Sequence, residues 1–235
     1  MNMFIALQQT LSSTLQTSEE QLPVEKTLSI FELIRNGGLS AQIIIALLLI
    51  MLAAALYIYF ERLSAIKAAS SVDKDFMNQI KSHVSQGNLE AARLACAQEK
   101  SPTARMIETG ISRIGKPLDD INKAIENTGS LEIYKLEKNV SILATIAGAG
   151  PMIGFLGTVV GMILAFHQMA SSGGQAEMGS LASGIYTAMS TTVAGLIVGI
   201  IAYIAYNHLV VKTNKVVHEM EAKSVEFLDL LNQPV

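Results

Sequence analysis

The stretch AGAGPMIGFLGTVVGMILAF, residues 147–166, decides the fold of this 235-residue chain. It lies inside a run of 38 residues, 139–176, that contains no charged side chain. Two further uncharged runs, of 25 and 34 residues, cover 36–60 and 178–211. A bilayer requires about 20 apolar residues for each helical span, so each run is long enough to cross once. The sequence therefore predicts an all-α integral membrane protein with three transmembrane helices.

The overall composition excludes several classes of protein. Hydrophobic residues make up 50% of the chain and charged residues 16%, whereas soluble domains carry about 25% charged residues. The net charge of −3, without a basic cluster, excludes nucleic acid as a partner. We expect no enzymatic activity, no metal site and no cofactor, because no nucleophile–base pair, metal-ligand spacing or phosphate loop is found. The single cysteine, Cys96, excludes an internal disulfide.

The basic residues predict the orientation of the chain. Twelve of the 17 Lys and Arg lie in 61–139, three follow the third apolar run, and two precede the first. The positive-inside rule then places 61–139 and the C-terminal tail in the cytoplasm, and the N-terminus outside. No cleaved signal peptide is expected, because residues 1–16 contain no Lys or Arg.

Apolar residues at helical spacing within 61–139 predict a bundle of helices, with a break at Gly87 and a new helix at Pro102. One long helix from about Ile121 is predicted to enter the second span, and the third span to continue inward as a helix. For the first segment, a disordered arm is the alternative to an amphipathic helix. The predicted segments are a periplasmic arm with an amphipathic helix (1–39), transmembrane helix 1 (40–60), a cytoplasmic helical domain (61–139), transmembrane helix 2 (140–170), a short periplasmic loop (171–181), transmembrane helix 3 (182–211) and a cytoplasmic C-terminal helix (212–235).

Small residues dominate the second and third spans. Eleven of the 17 glycines lie between Gly148 and Gly199, and the small residues recur every three or four positions. This spacing places the small residues on one face of each helix, and such faces allow close approach of two helices in a membrane. Proline inside the second span removes a helix hydrogen bond and predicts a kink. The residues predicted to kink or pack these helices are Pro151, Gly154, Gly157, Gly161, Gly195 and Gly199.

Serine and threonine side chains are concentrated in the third span, where five lie from Ser183 to Thr192. In one interpretation they bond to their own helix backbone. In the other, Thr158 and Thr192 face a shared polar cavity in an assembly and offer hydroxyls to an ion or to a partner's side chain. No acidic residue lies within the spans, although a proton pump requires an ionisable group there. If protons cross here, another polypeptide must therefore supply that group. The predicted ion-path residues are Thr158, Thr192, Thr191 and Thr187.

The run around Pro151 and the segment GIYTAMSTTVAGLIVGIIAYIAYN at 184–207 resemble the MotA/TolQ/ExbB family of proton-channel subunits. The resemblance covers about residues 29–210. Three spans with the N-terminus outside resemble the ExbB and TolQ branch, whereas MotA subunits have four spans. Further matching segments are SIFELIRNGG at 29–38, FER at 60–62, GNLEAA at 87–92 and SPTAR at 101–105.

The resemblance implies a multi-pass subunit of the bacterial inner membrane, assembled as a pentamer around a helical pore. It also implies a single-span partner of the ExbD or TolR type, whose membrane Asp carries the proton. An ExbB-like subunit drives a TonB-type protein for outer-membrane import. By the same resemblance, Pro151 matches the kink proline, and Thr158 and Thr192 match the pore threonines. Thr187 stands where many ExbB and TolQ chains carry Glu, which leaves sodium coupling open. The alternatives are a TolQ-type role in maintaining the envelope and a membrane scaffold that conducts no ion.

Overall fold

The computed structural model describes residues 39–70, 75–172 and 178–232, which form helices and turns without any strand. The predicted amphipathic helix of the arm lies outside these residues, as do positions 173–177 of the predicted loop and the last three residues. The described helices are α1 (Leu39–Ala69), α2 (Phe76–Ser85), α3 (Leu89–Gln98), α4 (Pro102–Ile111), α5 (Leu118–Glu137), α6 (Val140–Ser171) and α7 (Met178–Asn232).

Three of the helical segments are long and apolar enough to cross a membrane, and they contain α1, α6 and α7. At about 1.5 Å per residue, α1 and α6 are about 46–48 Å long, which exceeds the roughly 30 Å of a hydrocarbon core. α7 has 55 residues and no interruption, so it continues well beyond a bilayer into the helical domain. The prediction of an all-α protein with three helices able to span a membrane is confirmed.

The second span differs from the prediction at the end that joins the helical domain. Instead of one continuous helix from Ile121, the chain breaks between α5 and α6 at Lys138 and Asn139. Lys138 is extended (ψ 129°), and Asn139 adopts the left-handed conformation (φ 63°), which Asn tolerates better than most residues with a Cβ. The break brings the end of α5 beside α7, which positions the inner part of the site described below.

α1 packs along the α6–α7 pair with one face and leaves the other face exposed. Its buried side includes Ile45, Leu48 and Ile58, whereas Ile50 and Tyr57 are exposed. Exposed apolar side chains on a helix of this length are suited to lipid. The core continues without interruption from Leu48 in the membrane helices to Phe227 near the end of α7. The helical domain is therefore packed onto the same long helix that forms the third span.

The short helices of the domain begin where the sequence offers caps. The side chain of Asn88 accepts a hydrogen bond from the Ala91 amide (3.1 Å), and that of Ser101 accepts one from the Ala104 amide (3.2 Å). Pro102 follows as the first residue of α4, where its missing N–H has no helical partner to lose. Gly87 has φ 72° and supplies the turn between α2 and α3.

The buried thiol of Cys96 gives a test of the packing of α3. Burial, followed by the nearby charge of Glu108, raises the pKa of Cys96 to about 12. Because the thiolate is the reactive form, we expect maleimide labelling of the folded chain at pH 7.5 to be at least about 100-fold slower than labelling in denaturant. The double variant Cys96→Ala/Ala97→Cys moves the thiol by one residue to the exposed side of α3 and is expected to label rapidly without denaturant. Equal rates for the two folded proteins would contradict this packing.

Candidate functional site

Glycines allow α6 and α7 to pack backbone against backbone. A Cβ added to Gly195 would lie 2.5 Å from the Gly150 carbonyl oxygen and 2.8 Å from the Gly154 Cα. A Cβ on Gly161 would lie 2.7 Å from the Ala188 Cβ, and one on Gly157 would overlap the Thr191 side chain. Real Cβ atoms do not come this close to other atoms. The small residues predicted to pack the helices thus lie in the α6–α7 interface, where any side chain would push the helices apart.

Pro151 lies within α6, next to α7. A Cβ added to Gly199 would lie 2.7 Å from the Cδ of Pro151 and 3.0 Å from the carbonyl oxygen of Ala147. That carbonyl is four residues before the proline and has no helical N–H to accept from. Glycine at 199 therefore leaves room both for the ring and for the carbonyl without a helix bond. The kink predicted at Pro151 remains a prediction.

Thr158 and Thr192 meet between α6 and α7, and their hydroxyls are hydrogen-bonded to each other. The Thr158 hydroxyl is also placed to donate to the Ala188 carbonyl (3.1 Å), and the Thr192 hydroxyl to the Gly154 carbonyl (3.1 Å). Each carbonyl belongs to the opposite helix, so these bonds differ from the usual return to the residue's own helix. Two hydroxyl hydrogens serve three contacts, so one contact at a time lacks a donor. The pair can therefore redirect a hydrogen bond towards an arriving acceptor without breaking the helices.

The other two predicted threonines lie elsewhere on α7. Thr191 is 0% exposed and contacts the carbonyls of Ala188 (2.7 Å) and Gly154 (3.2 Å), so its hydroxyl is enclosed in the helix interface. Thr187 lines a separate cavity of about 270 Å³, together with Ser40 of α1. It is about 140° around α7 from Thr192, since each helical residue turns the chain by about 100°. The structure thus brings together Thr158 and Thr192 but not all four residues.

A groove follows the side of the α6–α7 pair that carries Thr192. Its residues on α7 share this side through spacings of three and four. The first part, of about 400 Å³, is lined by residues of α6 and α7 from Pro151 to Tyr206, and these are apolar apart from two tyrosines. Tyr206 also lines a second cavity, of about 220 Å³, at the α5–α6 break. The groove and the second cavity therefore adjoin at Tyr206, near the end of α5.

The polar residues of this second cavity, among them Glu137 and Thr213, were not predicted from the sequence. One feature of the sequence could have indicated Glu137, because it is the last acidic residue before the uncharged run that forms α6. Nothing in the sequence placed Thr213 at the same cavity, since this depends on how α7 packs against the break.

Known proteins match this chain over most of its length. The sequence model of the MotA/TolQ/ExbB proton channel family matches residues 98–222. A biopolymer transport protein of Methanothermobacter thermautotrophicus, described as an ExbB homolog, is 25% identical over 198 residues, which are 82% of this chain and 67% of that protein. The Tol-Pal system protein TolQ of Pseudomonas aeruginosa is 24% identical over 218 residues, 88% of this chain and 94% of TolQ.

A shorter match is closer in sequence. The biopolymer transport protein ExbB of Helicobacter pylori is 37% identical over 92 residues, 39% of this chain and 62% of that protein. The family match covers more than half of the chain, including α4, α5, α6 and most of α7. Together with the three apolar helices, these matches establish that the chain belongs to the MotA/TolQ/ExbB proton channel family, in its ExbB-like branch, as a multi-pass channel subunit of the inner membrane.

Proposed function

We propose that this chain is an ExbB-like subunit of an ion-driven motor, without enzymatic activity. It works with an ExbD/TolR-type single-span partner and converts the proton motive force into mechanical work on a TonB-type protein. The observation that carries the proposal is the cross-helix hydroxyl pair, Thr158 and Thr192, in spans that contain no acidic side chain. The hydroxyls solvate a carboxylate, and the carboxylate itself comes from the partner's membrane Asp.

The electrostatic and hydrogen-bond energies agree with a path in which this chain supplies the hydroxyls and the partner supplies the carboxylate. A buried charge at the centre of a bilayer is costly, and hydrogen-bond donors lower that cost. A neutral hydrogen bond contributes only about 1 kcal/mol net, so the two hydroxyls ease the passage of the carboxylate without trapping it. One charge that crosses 100 mV releases about 2.3 kcal/mol, which is enough to bias one step of a rotating partner. Several subunits in a ring, a pentamer in the proposal, supply successive steps.

A TolQ-type role is the second candidate, and one observation favours it. The match to TolQ of P. aeruginosa covers 94% of that protein, a larger share than the matches to the ExbB proteins compared above. In both candidates the N-terminus faces the periplasm and the C-terminus the cytoplasm. They differ in the protein that receives the work, so loss of nutrient uptake indicates the ExbB-like role and loss of envelope integrity the TolQ-type role.

The proposal is tested by removing one hydroxyl while keeping the shape of the side chain. Membrane vesicles from cells that express the chain with its single-span partner are loaded with a pH-sensitive dye, and ion flux is driven by an imposed gradient. We expect Thr158→Val or Thr192→Val to lower the flux by about tenfold, the factor that corresponds to about 1.4 kcal/mol.

Thr158→Ser keeps the hydroxyl and is expected to retain most of the flux. If the Ser and Val variants behave alike, the hydroxyls serve only packing, as in a scaffold that conducts no ion. A chain that carries ions without any acid-bearing partner would contradict the division of work between the two polypeptides. Replacing the pH gradient by a sodium gradient decides which ion is coupled.

A further inference from the structure

A polar cavity of about 220 Å³ lies at the inner end of the groove, where the α5–α6 break faces α7. It lies where the uncharged run of the second span begins, between Glu137 and Ser141, on the side of α7 that also carries Thr192. Its lining is rich in oxygen atoms, from a carboxylate, hydroxyls and an amide. The polar lining residues are Glu137, Ser141, Tyr206, Thr213 and Asn214.

The hydroxyl of Thr213 is a buried polar group. Its side chain is 3% exposed, and its Oγ1 has no hydrogen-bond partner within the described ranges 39–70, 75–172 and 178–232. Buried polar groups in folded proteins are nearly always hydrogen-bonded, because an unpaired one costs about 1–3 kcal/mol. A buried hydroxyl that lines a polar cavity without a protein partner is therefore suited to a ligand in that cavity.

Glu137 supplies the charge for such a ligand. It is exposed at the end of α5 and makes no ion pair with any residue that the structure describes, whereas Glu132 one turn earlier is paired with Arg105 and Lys135. A carboxylate combined with hydroxyl and amide oxygens is a set of hard donors, which favours a small cation. The same set can also accept a proton, on the carboxylate.

We infer that this cavity is a cation-binding inner mouth of the ion path, with Glu137 as the group that receives the ion. The inference rests on the proposed function and extends it to the cytoplasmic side. Ser141 lies about 25 Å along α6 from Thr158. The groove between them is lined by apolar side chains and two tyrosines, so in this proposal water in the groove carries the ion from the hydroxyl pair to Glu137. If the ion is a proton, the partner's carboxylic acid releases it, the Glu137 carboxylate accepts it, and cytoplasmic water removes it. If the ion is sodium, Glu137 and the Thr213 hydroxyl coordinate it.

The test uses the full chain with its single-span partner in membrane vesicles. One arm imposes a pH gradient and reads a pH-sensitive dye, and the other imposes a sodium gradient and reads a sodium-sensitive dye. In the arm where the wild type conducts, Glu137→Gln is expected to lower the flux by about tenfold, as expected for loss of a charge-assisted contact. Thr213→Val is expected to lower it by about threefold while the melting temperature stays unchanged or rises, because an unbonded hydroxyl is replaced by a methyl group.

Glu126→Gln is the matched control. Glu126 is an exposed carboxylate on the same helix whose Oε1 accepts a bond from the Asn122 amide (2.9 Å), and it lies outside this cavity. We expect wild-type flux from this variant. If Glu137→Gln and Thr213→Val both keep the wild-type flux while Thr158→Val remains slow, the cavity is not part of the ion path. The proposed function would then stay in place. Wild-type vesicles without flux in either arm would overturn the proposed function and the inference with it.

Discussion

Replacing Gly195 with Ala is expected to lower the melting temperature of the detergent-solubilised protein by about 5–10 °C. The added Cβ would meet the Gly150 carbonyl oxygen at 2.5 Å and the Gly154 Cα at 2.8 Å, and both are backbone atoms that cannot rotate away. Overpacking of this kind costs about 1–3 kcal/mol, and each kcal/mol shifts the melting temperature of a chain of this size by about 2–4 °C. A larger side chain, as in Gly195→Leu, is expected to prevent the α6–α7 pair from forming.

Gly148→Ala provides the control on the neighbouring helix. A Cβ at position 148 has no atom within 4 Å. Alanine is also a better helix former than glycine by about 0.5–1 kcal/mol, so this variant is expected to melt at or slightly above the wild-type temperature. If Gly195→Ala and Gly148→Ala had the same melting temperature, close contact of the two backbones would not be what holds this helix pair.

Loss of the Glu132 carboxylate is expected to destabilise the helical domain by about 2–3 kcal/mol at pH 7.5. Glu132 is 4% exposed and accepts hydrogen bonds from Arg105 (2.5 Å), which joins α4 to α5, and from Lys135 (2.6 Å). A hydrogen bond to a charged group contributes about 1.5–3 kcal/mol, and the partial exposure of both cations reduces the sum. Glu132→Gln keeps the size of the side chain and removes the charge, and urea unfolding of the full chain in micelles measures the difference.

The same carboxylate predicts how stability depends on pH. Burial raises the pKa of Glu132, but the hydrogen bonds and charges of Arg105 and Lys135 more than offset it, so the folded pKa lies below the ordinary value of 4.5. The unfolded chain then binds the proton more tightly, and stability falls as the pH drops. The contribution of Glu132 is complete above pH 4.5 and is lost as the pH falls through the folded pKa. The wild type and Glu132→Gln should therefore differ fully at pH 7.5 and converge in acid.

Glu126→Gln is again the comparison, since it removes an exposed carboxylate from the same helix. An exposed charge of this kind contributes only about 0–1 kcal/mol. If the two variants showed the same loss of stability, or if Glu132→Gln kept the acid sensitivity of the wild type, the buried ion network would not stabilise α4 against α5.

Much of this protein could be predicted from local features of the chain. Three uncharged runs predict three spans because each exceeds the thickness of a bilayer, and no tertiary information is needed for that conclusion. The small residues on α6 and α7 also predict close packing without tertiary information, because their spacing matches the helical repeat and places them on one face. The caps at Asn88 and Ser101 act within a single turn, so the starts of α3 and α4 were also accessible from sequence.

The break at Asn139 was not predictable in this way. The apolar and polar pattern of α5 runs into that of α6 without a glycine or a proline at the junction, so periodicity favours one helix. The observed break depends on one residue that adopts a left-handed conformation, which Asn permits but does not require. Packing of α5 against α7 decides between one continuous helix and a break at Asn139.

The class of the protein, its three spans and the absence of an acid within them could be predicted without coordinates, because they follow from composition and helical repeat. Which hydroxyls come together depends instead on how the helices pack. Thr158 pairs with Thr192, Thr191 is enclosed, and Thr187 lies in another cavity, because the rotation of α7 against α6 is set by contacts between glycines of both helices. Glu137 and Thr213 line one cavity for a similar reason, since this requires both the break before α6 and the passage of α7 beside it.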